Sequence, residues 1–348
     1  MAIFYATTGV AQGTGTGVDE ANRIELKKAI ENDAALHTPL VAGSAIYCKD
    51  DGTLTYDGSA GNFVATSVAG TVGTGKIRVV GYTTSIADDG VVTINDSNAG
   101  ATNFCFDVNH SYHAWFNIKI TNPRDGWNAP VAVNGNYWKN CSVIDAVNES
   151  WDIEGQSGNV HCYEDCLSIG AGNSGFDDLS RASRFIRCVS IGSGADGFTV
   201  GSGAYGTGLH SCISHANGGN GFNITGEGIL TNCVASRNTS DGFQLNDAET
   251  HSLSGCVAAS NGAYGIVGNA AALVIATACA FNPTNETNTS GKSLTLTLVE
   301  FDEITGDPLF TDSNPGTAAD VDLSLGAGSA LLRAPTSNNS ILWDKHLH

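Results

Sequence analysis

The sequence predicts an all-β fold, a single-stranded right-handed parallel β-helix, and three observations carry that prediction. Between residues 139 and 280 a short phrase recurs, in which a cysteine and a bulky apolar residue stand ten positions apart. Successive cysteines lie 21 to 25 residues apart, a period typical of solenoids. The apolar runs have strand length, lack helical periodicity and alternate with Gly, Asn and Ser clusters. Short strands stacked in coils of this length form a parallel β-helix.

Each copy of the phrase is expected to place its cysteine and its apolar residue inside the coil, so that both form ladders through the core. The pairs are Cys141 with Trp151, Cys166 with Phe176, Cys188 with Phe198, Cys212 with Phe222, Cys233 with Phe243 and Cys256 with Ile266, and Cys279 continues the series alone. Because such a core needs no covalent links, we expect buried free thiols rather than disulfides.

An asparagine follows three of these cysteines by five residues, at Asn217, Asn238 and Asn261. Asparagine tolerates a left-handed backbone and can bond main-chain groups, and stacked copies can bond each other. The spacing therefore predicts a ladder of asparagines at one turn of the coil.

The rest of the chain supplies the two ends of the predicted solenoid. Residues 18–30 carry an apolar stripe behind an acidic first turn, which predicts an amphipathic helix that caps the first open coil. We expect one elongated domain in three parts. These are an N-terminal strand and capping helix over 1–38, the β-helix over 39–301 with regular coils from about 139 to 280, and an irregular C-terminal cap over 302–348.

Composition excludes several classes of partner. The chain carries 35 acidic and 16 basic residues, with a formal net charge of −19, which opposes binding to nucleic acid or to an anionic membrane. It has no apolar run long enough to span a bilayer, and residues 1–6 (MAIFYA) lack the basic and apolar regions of a signal peptide. We therefore expect synthesis in the cytoplasm without a signal peptide.

Three segments outside the regular coils carry a family resemblance. Residues 4–9 (FYATTG) with the turn and helix after them, residues 77–82 (IRVVGY), and residues 307–310 (DPLF) followed by 323–330 (LSLGAGSA) are typical of one group of proteins. Together they resemble the pectate-lyase-like superfamily of right-handed parallel β-helices, and within it the family 9 polysaccharide lyases most closely. The superfamily includes lyases, hydrolases and inert structural proteins, so the resemblance implies the fold more specifically than the activity.

The resemblance implies a calcium site and a catalytic lysine, and the chain departs from both. In the family's pattern Asp196 would be a calcium ligand, a lysine would follow within a few residues, and an acidic motif would stand one coil later. This chain has Thr199 and Val200 near the lysine's place, and Asn220 and Asn223 in the later motif. Calcium prefers several carboxylates, so Asp196, Asn220 and Asn223 would form only a weak site. Without the lysine, no general base stands at the expected position, and the alternative is an arginine base, as in other lyase families that the fold resembles, from among Arg181, Arg184, Arg187 and Arg237.

Glycosidase chemistry remains open, because it needs two carboxyl groups at a set separation rather than calcium and lysine. Four aspartates stand beside the glycine and aromatic of their coils: Asp177, Asp178, Asp196 and Asp241. If Asp196 and Asp241 share a face two coils apart, the strand spacing separates them by about 9.6 Å, as in an inverting pair. The alternative is that each aspartate caps a turn, as Asn220 would at the same place.

We therefore expect a non-catalytic structural β-helix, most simply a phage virion component such as a capsid decoration or a tail- or fibre-associated protein. Its place would be the virion surface or, as the alternative, the cell exterior by a route other than Sec. Its partners would be other virion proteins or copies of itself, and it would need no cofactor, with calcium as the alternative. The other function is a carbohydrate-active enzyme, either a divergent lyase or a glycosidase. A glycan-binding module that uses exposed Tyr205 or Trp127 would also take a polysaccharide as its partner.

Overall fold

A computed structural model describes the chain in twelve segments that divide between two compact units. Unit 1 covers Met1–Arg181 and unit 2 covers Ala182–His348. The described segments are 2–8, 16–32, 38–57, 62–73, 75–97, 104–130, 133–154, 160–201, 206–246, 250–268, 273–281 and 295–303. Tyr205 and nearly all of the expected C-terminal cap, including residues 307–310, lie outside them. Among the described residues, no helix has the length and apolar character needed to cross a bilayer.

Unit 1 is a parallel β-helix with three strand faces. Its strands are β1 (Ile3–Thr7), β2 (Ile24–Glu25), β3 (Ala45–Lys49), β4 (Leu54–Tyr56), β5 (Val64–Ala65), β6 (Ile77–Tyr82), β7 (Val92–Asp96), β8 (Phe104–Asp107), β9 (His113–Phe116), β10 (Ile118–Thr121), β11 (Asp125–Ala129), β12 (Tyr137–Lys139), β13 (Ser142–Ile144), β14 (Trp151–Ile153), β15 (Cys162–Glu164), β16 (Leu167–Ile169) and β17 (Phe176–Asp178). Face A stacks β1, β3, β6, β9, β12 and β15; face B stacks β4, β7, β10, β13 and β16; face C stacks β5, β8, β11, β14 and β17. The described strands of these three faces pair in parallel, as the predicted parallel β-helix requires.

Large aromatic side chains fill the interior of unit 1. Trp115 and Trp138 point inward from face A, and Trp127 and Trp151 point inward from face C, all fully buried. The ring of Trp151 stacks on Phe176 with centroids 4.5 Å apart. Trp127 is fully buried and therefore cannot stack on a sugar at the surface. It stands two positions after Asp125, so both side chains lie on the same side of β11, and that side is buried.

The predicted capping helix is present but much shorter than expected. The α-helix α1 covers only Leu26–Ile30, after a 3₁₀ turn at Glu20–Asn22 that the Asp19 side chain caps. Between them β2 pairs with β1, so Ile24 extends the sheet instead of continuing a helix. The buried side chains Leu26, Ala29 and Ile30 pack α1 on the first strands. Tertiary pairing with β1 therefore overrides the helical pattern of residues 18–25.

Unit 2 repeats the same three faces with more regular coils. Its strands are β18 (Arg184–Ile186), β19 (Val189–Ile191), β20 (Phe198–Val200), β21 (Thr207–His210), β22 (Ile213–His215), β23 (Phe222–Ile224), β24 (Gly228–Thr231), β25 (Val234–Ser236), β26 (Phe243–Leu245), β27 (Thr250–Ser254), β28 (Val257–Ala259), β29 (Ile266–Gly268), β30 (Leu273–Phe281) and β31 (Thr295–Glu303). Face A stacks β18, β21, β24, β27, β30 and β31, face B stacks β19, β22, β25 and β28, and face C stacks β20, β23, β26 and β29.

Both predicted ladders are present in the core of unit 2. Phe222 stacks between Phe198 at 4.9 Å and Phe243 at 5.0 Å, nearly parallel to both rings. The thiols of Cys212 and Cys233 are fully buried, and each donates to a backbone carbonyl of the preceding coil, at 3.5 and 3.4 Å. All ten cysteines are free, as predicted. Burial raises the pKa of the Cys212 and Cys233 thiols well above the usual value, so the ladder consists of neutral thiols.

In unit 2 a glycine precedes each of the stacked phenylalanines, and the reason is steric. A side chain at Gly221 would place its Cβ 2.6 Å from the carbonyl oxygen of Gly242, and one at Gly242 would lie 2.7 Å from the carbonyl oxygen of Gly265. Consecutive coils therefore approach too closely at this corner for any larger residue.

The asparagine ladder is present, but the residues with a left-handed backbone are those directly before the asparagines. Asn217 donates from its side chain to Asn238 Oδ1 at 2.9 Å, and Asn238 donates to Asn261 Oδ1 at 3.0 Å. Positive φ occurs one residue earlier, at Ala216 and Arg237. The prediction was wrong on this point because the buried asparagines bond the next coil instead of supporting their own turn.

Candidate functional site

Two aspartates predicted together are separated by the pleat of β17. Asp178 points inward, is 1% exposed, and accepts hydrogen bonds from the Tyr163 hydroxyl at 3.2 Å and from the Ser180 amide at 2.7 Å. Asp177, one residue earlier, lies on the outer side of face C and is partly exposed. Asp178 therefore supports the core, and only Asp177 can meet a ligand.

In unit 2 the carboxylate of Asp196 is occupied by amide donors. Its Oδ1 accepts the Asn220 backbone N–H at 2.6 Å and the Asn220 side-chain N–H at 3.0 Å, and its Oδ2 accepts the Asn223 side chain at 2.7 Å. The two asparagines thus direct their amide hydrogens at Asp196, whereas a cation at this place would need their oxygens. Among the described residues, no group of three His, Cys, Asp or Glu side chains is arranged to hold a metal ion.

Asp241 occupies the same corner of its coil as Asp196, and Asn220 lies between them. The Asn220 Oδ1 accepts the Asp241 backbone N–H at 3.1 Å, and Asp241 Oδ1 accepts the Tyr264 N–H at 2.9 Å. Burial raises the pKa of Asp241, with the backbone bond from Tyr264 acting against it. Each side chain in this row therefore caps the corner of the next coil.

Unit 1 places a different set of carboxyl groups at the equivalent positions. We call Asp125, Glu149, Asp152 and Asp177 the acidic face; Asp152 and Asp177 are partly exposed, and Asp125 and Glu149 are buried beside them. Asp125 and Glu149 stand two residues before the inward Trp127 and Trp151, and Asp152 and Asp177 stand one residue after the inward aromatic of their strands. In the parallel register Asp152 pairs directly with Asp177.

The Asp152 and Asp177 side chains lie on neighbouring strands of one sheet face, so their backbones are separated by the strand spacing of about 4.8 Å. Burial, followed by the charges of Asp125, Asp177 and Glu154, raises the pKa of Asp152 to about 6, while Arg124 lowers it. Asp152 is thus a carboxyl group that can carry a proton near neutral pH, beside a second carboxylate.

Asp125 and Glu149 form the second pair of the acidic face. Asp125 Oδ2 lies 2.7 Å from Arg124 Nη1, and its Oδ1 accepts the Glu149 backbone N–H at 3.1 Å. Asn173 donates to Glu149 Oε1. Burial raises the pKa of Glu149 to about 7; the Asn173 bond acts against this, and the adjacent Asp125 carboxyl adds to it. Glu149 is therefore a second buried carboxyl group that can carry a proton near neutral pH.

The sequence reasoning identified Asp177 but missed Asp125, Glu149 and Asp152. The missed signal was positional: Asp125 and Glu149 match the corner position of Asp196, and Asp152 matches the strand position of Asp177. Counting outward from each aromatic, rather than searching for a family motif, would have found them.

Comparisons with known proteins agree on the fold. No protein-family model matches the chain, and no curated protein matches its sequence. Among solved structures, pectate lyase Pel9A is 18% identical, with a TM-score of 0.67, and covers 95% of this chain and 90% of its own. A rhamnogalacturonan lyase is 13% identical, with a TM-score of 0.63 over 96% of this chain and 98% of its own.

An alginate lyase from Paenibacillus sp. strain FPU-7 is also 13% identical, with a TM-score of 0.57 over 84% of this chain and 98% of its own. At these identities the likeness concerns the fold alone. The chain has a pectate-lyase-like parallel β-helix fold, as its sequence segments predicted.

Proposed function

We propose that this chain is a carbohydrate-active β-helix that cleaves a glycosidic bond at the acidic face of unit 1. The observation that carries the proposal is the pairing of Asp152 with Asp177, on adjacent strands of one partly exposed sheet face. Like charges placed side by side oppose folding, so this pair carries a cost in stability that catalysis explains.

The spacing of the pair favours one reaction course. Retaining glycosidases hold their two carboxyl groups about 5–5.5 Å apart, close to the distance of about 4.8 Å between adjacent strands. Asp152, with its pKa near 6, would protonate the leaving glycosidic oxygen. Asp177 would attack the anomeric carbon and form a glycosyl ester, which water then hydrolyses with Asp152 as the base.

The similar structures support the broader part of the proposal. All three are named as lyases of pectate, rhamnogalacturonan or alginate, which are carbohydrate substrates. The virion role expected from the sequence has no corresponding support among them. A glycosidase also fits the acidic face better than a lyase of uronates does, because the partly exposed carboxyl groups of Asp152 and Asp177 repel a polyanion unless a cation intervenes.

The experiment is a turnover assay on neutral polysaccharides, polygalacturonate and alginate, each with calcium and with a chelator, read by reducing ends and by absorbance of unsaturated products. We expect reducing ends without unsaturated products, independent of calcium. Asp152→Asn and Asp177→Asn should each lower kcat by about 10²–10⁴-fold. The product from the wild-type protein should keep its anomeric configuration in NMR spectra.

The matched controls are Asp196→Asn and Asp241→Asn, which change a carboxylate at the corner of a coil in unit 2. Turnover should persist in both. Loss of turnover in the controls but not in Asp152→Asn would move the site to unit 2. Absence of turnover on every polymer would reject the enzyme and leave the structural virion protein as the better hypothesis.

A further inference from the structure

The outer side of face A in unit 1 carries aromatic side chains on successive strands. Tyr5 pairs with Tyr47, Tyr47 with Val80, and Val80 with Phe116, so these four form one outward row across β1, β3, β6 and β9. Strand alternation turns the intervening residues, such as Trp115, into the core. Tyr5 and Tyr47 have ring centroids 6.3 Å apart, and all four outward residues are partly exposed.

A second outward row runs beside the first. Arg78 pairs with Ala114, and Ala114 with Tyr137, whose ring meets the edge of Phe116 at a centroid distance of 5.6 Å. The Lys76 ammonium lies 5.4 Å from the centroid of the Tyr137 ring. Burial lowers the pKa of Lys76, and the neighbouring Cys162 acts against this. We call Tyr5, Tyr47, Phe116, Tyr137, Lys76 and Arg78 the aromatic–cation face.

The two cations of this face lack carboxylate partners. Within the described part of the chain, neither Lys76 nor Arg78 has an Asp or Glu oxygen within 4 Å, whereas six other Lys or Arg side chains of unit 1 do. Those six are Arg23, Lys27, Lys28, Lys49, Arg124 and Lys139. In a chain with 35 acidic and 16 basic residues, carboxylates are abundant, so two cations that lie among partly exposed rings with no carboxylate within 4 Å favour an external anion.

We propose that the aromatic–cation face is a non-catalytic binding surface for an acidic polysaccharide, one that carries uronate units. The apolar faces of the sugar rings would pack on Tyr5, Tyr47 and Phe116, because aromatic side chains offer large rigid surfaces with polar edges. A uronate carboxylate would accept paired hydrogen bonds from the Arg78 guanidinium and a single one from Lys76. A two-fold symmetric dimer would place Lys76 and Arg78 of one copy against the same two cations of the other, so charge complementarity favours an anionic polysaccharide over a second copy of the chain.

This surface differs from the acidic face in both position and charge. It lies on face A, whereas Asp152 and Asp177 lie on face C, and it attracts the polyanion that the acidic face repels. The inference therefore stands without the proposed glycosidase activity.

The test is affinity electrophoresis of the full chain in native gels containing polygalacturonate, alginate or a neutral cellulose ether, with dissociation constants from the dependence on polymer concentration. We expect retardation by the two uronate polymers and none by the neutral one. Arg78→Gln should weaken binding about tenfold, which corresponds to one charge-assisted hydrogen-bonded contact. Tyr47→Ala should weaken binding without changing its salt dependence, because it removes an apolar contact and no charge.

The matched control is Lys119→Gln, which removes an outward cation from face B, where Lys119 pairs with Thr93 and Ser142. It should bind like the wild-type chain, and so should Asp152→Asn, which separates this surface from the proposed active site. Equal loss of binding in Arg78→Gln and Lys119→Gln would show unspecific attraction and overturn the proposal. Equal retardation by the neutral polymer would do the same, as would a dimer in sedimentation equilibrium that Arg78→Gln dissociates.

Discussion

The two units build the same coil but surround its carboxylates with different neighbours. In unit 2, Asp196 is surrounded by the amides of Asn220 and Asn223, and its oxygens accept their hydrogens. At the equivalent places of unit 1 stand further carboxyl groups, and Asp152 has its pKa raised by burial and by its neighbours. The comparison teaches that position alone does not mark a functional carboxylate. The side chains around a carboxylate mark its role. An aspartate whose oxygens accept amide hydrogens stabilises the corner of a coil, whereas an aspartate packed against other acidic side chains can exchange a proton.

The side chains that fill the interiors of the two units also differ. Unit 1 fills its coils with Trp115, Trp127 and other large rings, whereas unit 2 uses stacked phenylalanines, thiols and an asparagine ladder. Regular coils allow identical small residues to repeat in register, so each contact recurs. Irregular coils in unit 1 leave interior spaces of different sizes, which larger and differently oriented rings fill.

The largest expected effect concerns the asparagine ladder. Asn238→Ala should lower the free energy of unfolding by about 3 kcal/mol, because it leaves the Asn217 backbone N–H and side-chain N–H buried without their acceptor. Unit 1 has Ala146 five residues after Cys141 and needs no such ladder. Urea unfolding followed by circular dichroism measures the change. As a control, Asn246→Ala removes the partly exposed bond to Asn223 and should cost less than about 1 kcal/mol. Equal costs for both variants would show that the ladder does not stabilise unit 2.

An exchange of aromatic residues tests the difference between the two cores. Phe222→Trp should cost about 1–3 kcal/mol, because Phe222 is fully buried between two stacked rings and a larger side chain overpacks the space. The reverse exchange, Trp151→Phe, should cost less than about 1.5 kcal/mol. Its indole N–H has no acceptor among the described residues, so its removal leaves nothing unpaired. Urea unfolding of both variants measures the asymmetry, and a larger cost for Trp151→Phe would contradict it.

The smallest effect concerns stability and pH at the acidic face. Burial and the neighbouring carboxylates raise the pKa of Asp152 to about 6, so the folded chain loses stability as the pH rises from the ordinary pKa of an aspartate through this value. Asp152→Asn should therefore raise Tm by about 2 °C at pH 8 and leave it unchanged near pH 4. Asp196→Asn should lower Tm at pH 8, because Asp196 accepts amide hydrogens with both oxygens. Differential scanning calorimetry at both pH values distinguishes the two, and a fall in Tm for Asp152→Asn at pH 8 would contradict the assignment.

Only part of the candidate site could be predicted from the sequence. Asp177 was found because it follows the aromatic of its coil, but Asp178 beside it points into the core, and the pleat of a three-residue strand decides that difference. Asp152 and Glu149 belong to no motif, and their raised pKa values arise from burial and from residues one coil away. The left-handed turn was placed one residue too late, because the buried Asn238 bonds Asn261 in the next coil.

By itself the sequence determined the fold, the free thiols and the stacked aromatics, because a period of 21 to 25 residues returns each inward position to the same place in every coil. Tertiary structure decided which end of residues 18–30 is helical, where Trp127 points, and which carboxylates meet amides or other acids. Those outcomes depend on contacts between residues about 25 positions apart, and local propensity and spacing carry no information on the partner that the next coil supplies.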